Sequence, residues 1–471
     1  MDDNQTGGRS SRTLGGAASP LGNNTKSSTP SQSSPKSRGR ALRAERYQIQ
    51  SIARKIIRQE GVAARLEFPL NYHRTAKCRH IAVGRVGVYK ALEYDGAFYA
   101  GLAVCGSVWA CPICTAKIQE RRREEVAQAI DWAYLNGKKC VMVTLTFPHT
   151  EFDDLAVLFE KQADALKRLR SGNTWTKFKD LIGFEGLIRS LELTIGANGW
   201  HPHTHEIWIV SKDADVEMML QKILERWENA CIKAGLLNPK NVHKIEYFRA
   251  HAVDIHDNAS TGEYLAKQDD SRHWGADSEL VRGNSKRGKH PFSLLPLFEI
   301  GIQTDDPLVR EAGMKAGKKF AEYIDATKGK RQMFWTHGLK ERVGINEVDD
   351  ETLAEESREK ADLLGLLNEA DWRLVRNQEQ RAQLLDVAEL GGWESVQKFI
   401  ADLRERTLLN SQSENDFVAS PELNLGVDLN LEPYSIDLLT GEVVPLNEID
   451  QLIADGLDYE YFRVPEFDFS D

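Results

Sequence analysis

Polar and apolar residues alternate, with a β-branched bias, over three stretches: Lys139–Phe147 (KCVMVTLTF), Leu187–Ile195 (LIRSLELTI) and Trp200–Val210 (WHPHTHEIWIV). Period-two alternation of this kind predicts β-strands, and Pro148 closes the first of them. The second and third flank Gly196-Ala197-Asn198-Gly199. An Asn-Gly pair between alternating segments predicts a tight hairpin, because both residues tolerate positive φ. Helical spacing of apolar residues runs over Ile118–Asn136, Leu155–Arg170 and Val216–Ala234. Together these elements predict an α+β domain built on an antiparallel sheet flanked by helices. Further along, Leu, Ala and Trp recur at helical spacing between Glu351 and Arg406, which predicts two or three amphipathic helices.

The two ends have another texture. Residues 1–45 are Ser, Gly, Thr, Asn and Arg with few large apolar side chains, so they are expected to be disordered. Residues 411–471 are acidic and rich in Leu, Asp and Asn, and are expected to form a flexible tail. The net charge of −10 is not spread evenly. The first 45 residues carry +4, the last 61 carry −14, and the region between is neutral with basic clusters at Arg121-Arg122-Arg123, Lys167-Arg168-Leu169-Arg170 and Lys286-Arg287-Gly288-Lys289. The acidity therefore belongs to the tail and does not exclude nucleic-acid binding. No apolar run approaches eighteen residues and no basic-then-apolar leader opens the chain, so a cytoplasmic protein without a membrane partner is expected.

Taking the Asn198-Gly199 turn as a two-residue loop sets the register by arithmetic. Ala197 pairs with Trp200, Thr194 with His203 and Glu192 with His205, which puts His201, His203, His205, Glu192 and Thr194 on one sheet face. Opposed residues have Cβ atoms about 4.5–5.5 Å apart. Two imidazoles and a carboxylate then converge as a three-ligand metal site with positions left for water or substrate. Four of six cysteines (Cys78, Cys105, Cys111 and Cys114) fall in one stretch, in a chain with no visible export signal. That grouping reads as a closed structural zinc site, with His73 or His80 as a substitute for one ligand.

His203-Thr204-His205 ahead of an apolar strand resembles the second motif of HUH endonucleases, and Val143-Thr144-Leu145-Thr146-Phe147 resembles their first. Leu191-Glu192-Leu193-Thr194 and Asn198–His203 are similar to plasmid rolling-circle replication initiator (Rep) proteins, as is the Cys-rich segment in front of the first motif. Thr204 departs from the pattern, whose middle residue is usually apolar, and leaves open whether His201-Pro202-His203 supplies the pair instead. The resemblance covers roughly residues 75–300 and implies a ferredoxin-like HUH nicking domain, placed over 136–335, behind a Cys-rich zinc-binding and DNA-contacting segment over 46–135; the helical spacing places a helical region over 336–410 after it. The resemblance implies Mg²⁺ or Mn²⁺ at Glu192, His203 and His205, and structural Zn²⁺ at the cysteines. It also implies a nucleophilic tyrosine on a later helix with a lysine three residues on; Thr261-Gly262-Glu263-Tyr264-Leu265-Ala266-Lys267 matches, making Tyr264 and Lys267 the catalytic candidates and Glu263 a candidate to activate water in termination.

The implied activity is nicking of one strand at a plasmid or phage origin, leaving a 5′-phosphotyrosine and a free 3′-OH. The implied partners are origin DNA, single-stranded or cruciform, and a host helicase and polymerase, with Arg121, Arg122, Arg123, Lys286, Arg287 and Lys289 as DNA contacts. The near-match Gly283–His290 to a nucleotide-binding loop ends in His rather than Ser or Thr and follows no apolar strand, so no ATPase is expected. The competing readings are a zinc-dependent DNA-binding regulator without catalysis, and a relaxase or transposase with the same fold.

Overall fold

The computed structural model describes residues 35–58, 73–92, 96–257, 290–355, 358, 360–413, 434–436 and 443–445. The described chain is α+β, with antiparallel sheets flanked by helices. Helix α1 (Pro35–Arg58) precedes two strands, β1 (Ala82–Ala91) and β2 (Ala97–Leu102), and helix α2 (Pro112–Leu135). Next come β3 (Lys138–Leu145), α3 (Leu155–Leu169), α4 (Asn173–Ile182), β4 (Gly186–Gly196), β5 (Gly199–Ser211), α5 (Val216–Lys233), α6 (Val242–His251) and β6 (Val253–Asp257). After residue 290 follow α7 (Leu294–Gln303), α8 (Pro307–Thr327), β7 (Met333–Trp335), α9 (Leu339–Val343), α10 (Asp350–Ala354), β8 (Ala361–Leu367), α11 (Glu369–Asn377) and α12 (Arg381–Ser413).

The three predicted strands are the centre of a five-stranded antiparallel sheet ordered β6-β3-β5-β4-β7. Its two faces follow from alternation along β5. Trp200, Trp208 and Val210 point into the larger core with Phe159 of α3, Trp227 of α5 and Phe320 and Tyr323 of α8. Ile207 and Ile209 point the other way, onto Val126, Ala129, Ile130 and Ala133 of α2. The flanking helices start where local chemistry satisfies their free N–H groups: Asp154 caps α3 through Val157 N–H and Asp215 caps α5 through Met218 N–H.

Three expectations are corrected. Helix α1 starts at Pro35, inside the segment expected to be disordered, and buries Ile52, Ile56 and Ile57. The 350–408 region is not purely helical: β8 pairs with β1 in a second antiparallel sheet, β2-β1-β8, and α12 is interrupted at Gly392. The hairpin turn lies one residue earlier than predicted, with Gly196 opposite Gly199. Neither Ala197 nor Asn198 takes positive φ; Gly199 does, at 78°. A Cβ at Gly199 would lie 2.7 Å from Glu151 Cα, so the turn is pressed against the loop after β3. Glu192 therefore pairs with His203, not His205, and Thr194 with His201. The change is two residues in pairing, so every side chain keeps its face. Within the acidic tail, Tyr434–Ile436 pairs with Val443–Pro445. No described helix is long and apolar enough to cross a membrane.

Candidate metal centres and the family of the chain

Along the face that packs on α2, the sheet changes character. Ile209, Ile207, Met142 and Ile188 cover one half, and His205, His203, His201, Thr144, Ser190 and Glu192 occupy the other. The register aligns them: His205 lies between Thr144 and Ser190, and His203 lies opposite Glu192. Thr204, the middle residue of the motif, faces the opposite side and is buried, so its polarity does not touch the histidine pair.

Glu192, His203 and His205 are all buried and can meet at one ion. Both imidazole Nε2 atoms approach the same carboxylate oxygen, Glu192 Oε2, at 3.3 Å for His203 and 2.9 Å for His205. Ligands about 2.1 Å from a shared cation stand about 3.0–3.4 Å apart. The spacing fits. The outward nitrogens are already engaged: His203 Nδ1 donates to the His201 carbonyl at 3.1 Å, and His205 Nδ1 lies 3.0 Å from Thr144 Oγ1. The carbonyl contact puts the His203 proton on Nδ1, and the Thr144 hydroxyl can accept from His205 Nδ1, so both rings are oriented to offer Nε2 to an ion. His205 Nε2 and Glu192 Oε1 have no hydrogen-bond partner among the described residues. Burial acts to raise the Glu192 pKa, but hydrogen bonds from His203 and His205 in their protonated form, with the charge they then carry, outweigh it and hold the carboxyl at about 2, ionised as a ligand must be.

His201 stands outside this cluster. Its Nε2 lies 3.3 Å from Thr146 Oγ1 and its Nδ1 lies 2.6 Å from His149 Nε2. His149 in turn donates from Nδ1 to the Asn198 carbonyl at 2.9 Å, clasping the hairpin turn. The pair 203 and 205 is thus the one that converges, with His201 beside it. His149 was not singled out in the sequence; its signal is its place two residues after the first strand motif.

The cysteines form the second centre. Cys78, Cys105, Cys111 and Cys114 are fully buried, with sulfur separations of 3.5 Å (78–114), 3.6 Å (105–114) and 3.7 Å (111–78). Four thiolates about 2.3 Å from a tetrahedral zinc stand about 3.8 Å apart, far from a disulfide at about 2.05 Å. Gln50 Nε2 lies 3.5 Å from Cys111 Sγ, Thr75 Oγ1 donates to Cys105 Sγ at 3.5 Å and Ser107 N–H to the same sulfur at 3.4 Å. Hydrogen bonds from the other thiols pull the Cys114 pKa down, while burial pushes that of Cys111 up. Neither His73 nor His80 joins the set; His73 caps a short turn through Thr75 N–H.

Of the arginine cluster, Arg122 is half-buried and holds Glu125, Asp350 and the Val348 carbonyl, Arg123 pairs with Glu120, and Arg121 is exposed. Tyr264, Lys267, Glu263, Lys286, Arg287 and Lys289 lie outside the described residues.

The family model described as "Replication protein" matches residues 100–379, more than half of the chain and nearly the whole span from the cysteine cluster through both sheets. The chain belongs to this replication protein family. Among curated relatives, it is 28% identical over 370 residues to "Protein rep" of Streptomyces lividans, covering 67% of this chain and 77% of that one. It is also 33% identical over 150 residues to a "Neomycin resistance protein" of Streptomyces cyanogenus, covering 26% of this chain and 34% of that one. No solved structure matches. As a plasmid Rep protein, the chain has a replication-initiator role and binds DNA.

Proposed function

We propose that this Rep protein starts rolling-circle replication by cutting and rejoining one DNA strand at a plasmid or phage origin, with Tyr264 as nucleophile. The observation that carries the reading is the convergence of two imidazole Nε2 atoms and one carboxylate on a single point of the sheet. That donor set, one acid and two imidazoles, suits a divalent ion with open positions, and Mg²⁺ or Mn²⁺ is proposed there. When bound, the ion supplies Lewis-acid polarisation of the scissile phosphate. Glu192, His203 and His205 hold it, and Thr144 and the His201 carbonyl keep the rings turned toward it.

In the proposed step the Tyr264 oxygen attacks phosphorus, its proton leaves to a base or to water, and the bond to the 3′ oxygen breaks. A 5′-phosphotyrosine and a free 3′-OH result. A phenolate is a good enough leaving group for a later 3′-OH to reverse the link. Lys267, three residues after Tyr264 in sequence, stabilises the phosphate charge or the phenolate. The cysteine centre is proposed to hold structural zinc, and a host helicase and polymerase to unwind and copy, all in the cytoplasm.

The test is an adduct assay. Full-length protein with Mn²⁺ and a labelled single-stranded origin oligonucleotide should give a denaturation-resistant protein–DNA species, absent in Tyr264→Phe. An adduct that survives Tyr264→Phe moves the nucleophile elsewhere. No adduct with any origin oligonucleotide favours a zinc-dependent DNA-binding regulator.

A further inference from the structure

We infer that His290 is a positioning residue of the Glu192–His203–His205 centre, whose Nε2–H holds the outer oxygen of Glu192 through one water and so aims the inner oxygen at the cation. The inference rests on the metal-site reading above and adds a residue to it.

His290 opens the short turn Pro291–Ser293, and its Nδ1 accepts the Phe292 N–H at 3.0 Å. A ring nitrogen that accepts carries no proton, so the imidazole is neutral and its one proton sits on Nε2. That assignment excludes His290 as a ligand, because Nε2 has no lone pair to give, and it stands outside the ligand cluster. What remains is a donor. The ring is only 6% exposed, and Nε2 has no partner among the described residues. A buried donor left unpaired costs about 1–3 kcal/mol, so such a group calls for an acceptor.

The complementary orphan is Glu192 Oε1, also buried and unpartnered among the described residues. The two are neighbours by fold, since the turn carrying His290 packs against β4, which carries Glu192. Burial lowers the His290 pKa to about 3, and the Glu192 carboxylate is the charge that opposes the shift. Glu192 Oε2 already faces both imidazoles, so a donor on Oε1 would hold the carboxylate's rotation. Hydrogen-bonded carboxylate ligands of this kind are the general pattern in metal sites.

The experiment is Mn²⁺ titration of the full chain by calorimetry, with thermal melts to check folding. His290→Leu should weaken Mn²⁺ binding roughly 10- to 100-fold, the usual effect of losing such a partner. His290→Gln, whose side-chain N–H₂ stands near the Nε2 position, should restore most of the affinity. If His290→Leu does not fold, the tautomer in the wild type decides: histidine NMR with Mg²⁺ should show His290 keeping its Nε2 proton. Wild-type affinity in His290→Leu, or loss of that proton on adding Mg²⁺, overturns the inference. The two failures separate cleanly. If Mn²⁺ binds equally well to wild type and His203→Ala, or to neither, the centre itself is wrong; if only His290→Leu leaves affinity unchanged, the centre stands without this residue.

Discussion

The cysteine cluster and the histidine face are both groups of buried donors, yet they differ in how many ligands they offer and of what kind. The four sulfurs close on one another from a loop, a turn and the first turn of α2, and the neighbouring donors Gln50, Thr75 and Ser107 surround them. Four ligands complete a tetrahedron and leave no position for substrate. The Glu-His-His group offers three ligands from two adjacent strands and stops there. A closed set holds a fold together; an open one leaves room for chemistry. The ligands themselves differ in the same sense, soft thiolates on one side and imidazole with carboxylate on the other.

The sharpest way to break this contrast is Cys111→Ser. Structural zinc supplies on the order of 10 kcal/mol of folding free energy, so removing one ligand should cost the chain its zinc and most of its soluble yield. Metal analysis after purification without chelator should give about one zinc per wild-type chain; a Cys111→Ser protein that melts like wild type would make the cluster an ordinary set of core thiols. Next in size, His203→Ala and His205→Ala should each lower adduct formation by on the order of 10³-fold while leaving the melting temperature and origin binding near wild type. A larger loss in His201→Ala would place the ligand pair one step along the strand. The smallest effect is pH. Burial holds His290 at about 3 and His73 at about 4, well below the 6.5 of a free imidazole. Both are neutral when folded and take up protons when unfolded, so stability should fall as pH drops below about 6.5 and keep falling toward about 4. A melting temperature unchanged between pH 7.5 and 5 would contradict that burial.

How much of this was legible in the sequence follows the range of the forces involved. The central strands were readable because alternation is local, and Leu155 and Val216 start their helices where predicted because Asp154 and Asp215 cap them. The hairpin was placed to within one residue; the error came from assigning the left-handed conformation to Asn198 as well as Gly199, when only Gly199 has it. The face of Glu192 survived the error because the slip was even. Strand β8 was read as helix because its leucines carry no strong alternation, and its partner residues in β1 lie 270 or more residues earlier in the chain. Helix α2 starts at Pro112 rather than Ile118 because its first turn carries Cys114 to the cysteine cluster. His149, and the proposed positioning residue His290, carried no local signal: each sits on a loop or turn whose path no local pattern encodes.

Helix α2 ties the cysteine centre to the sheet. Its 24 residues, about 36 Å of rod, begin at the Cys111-x-x-Cys114 knuckle and end beneath the isoleucines that share a sheet face with the histidines. The rod makes the distance between knuckle and sheet a fixed length rather than an adjustable one. Whatever loosens the sulfur end therefore disturbs the apolar half of the sheet face, and through it the register that carries the imidazoles on the other half.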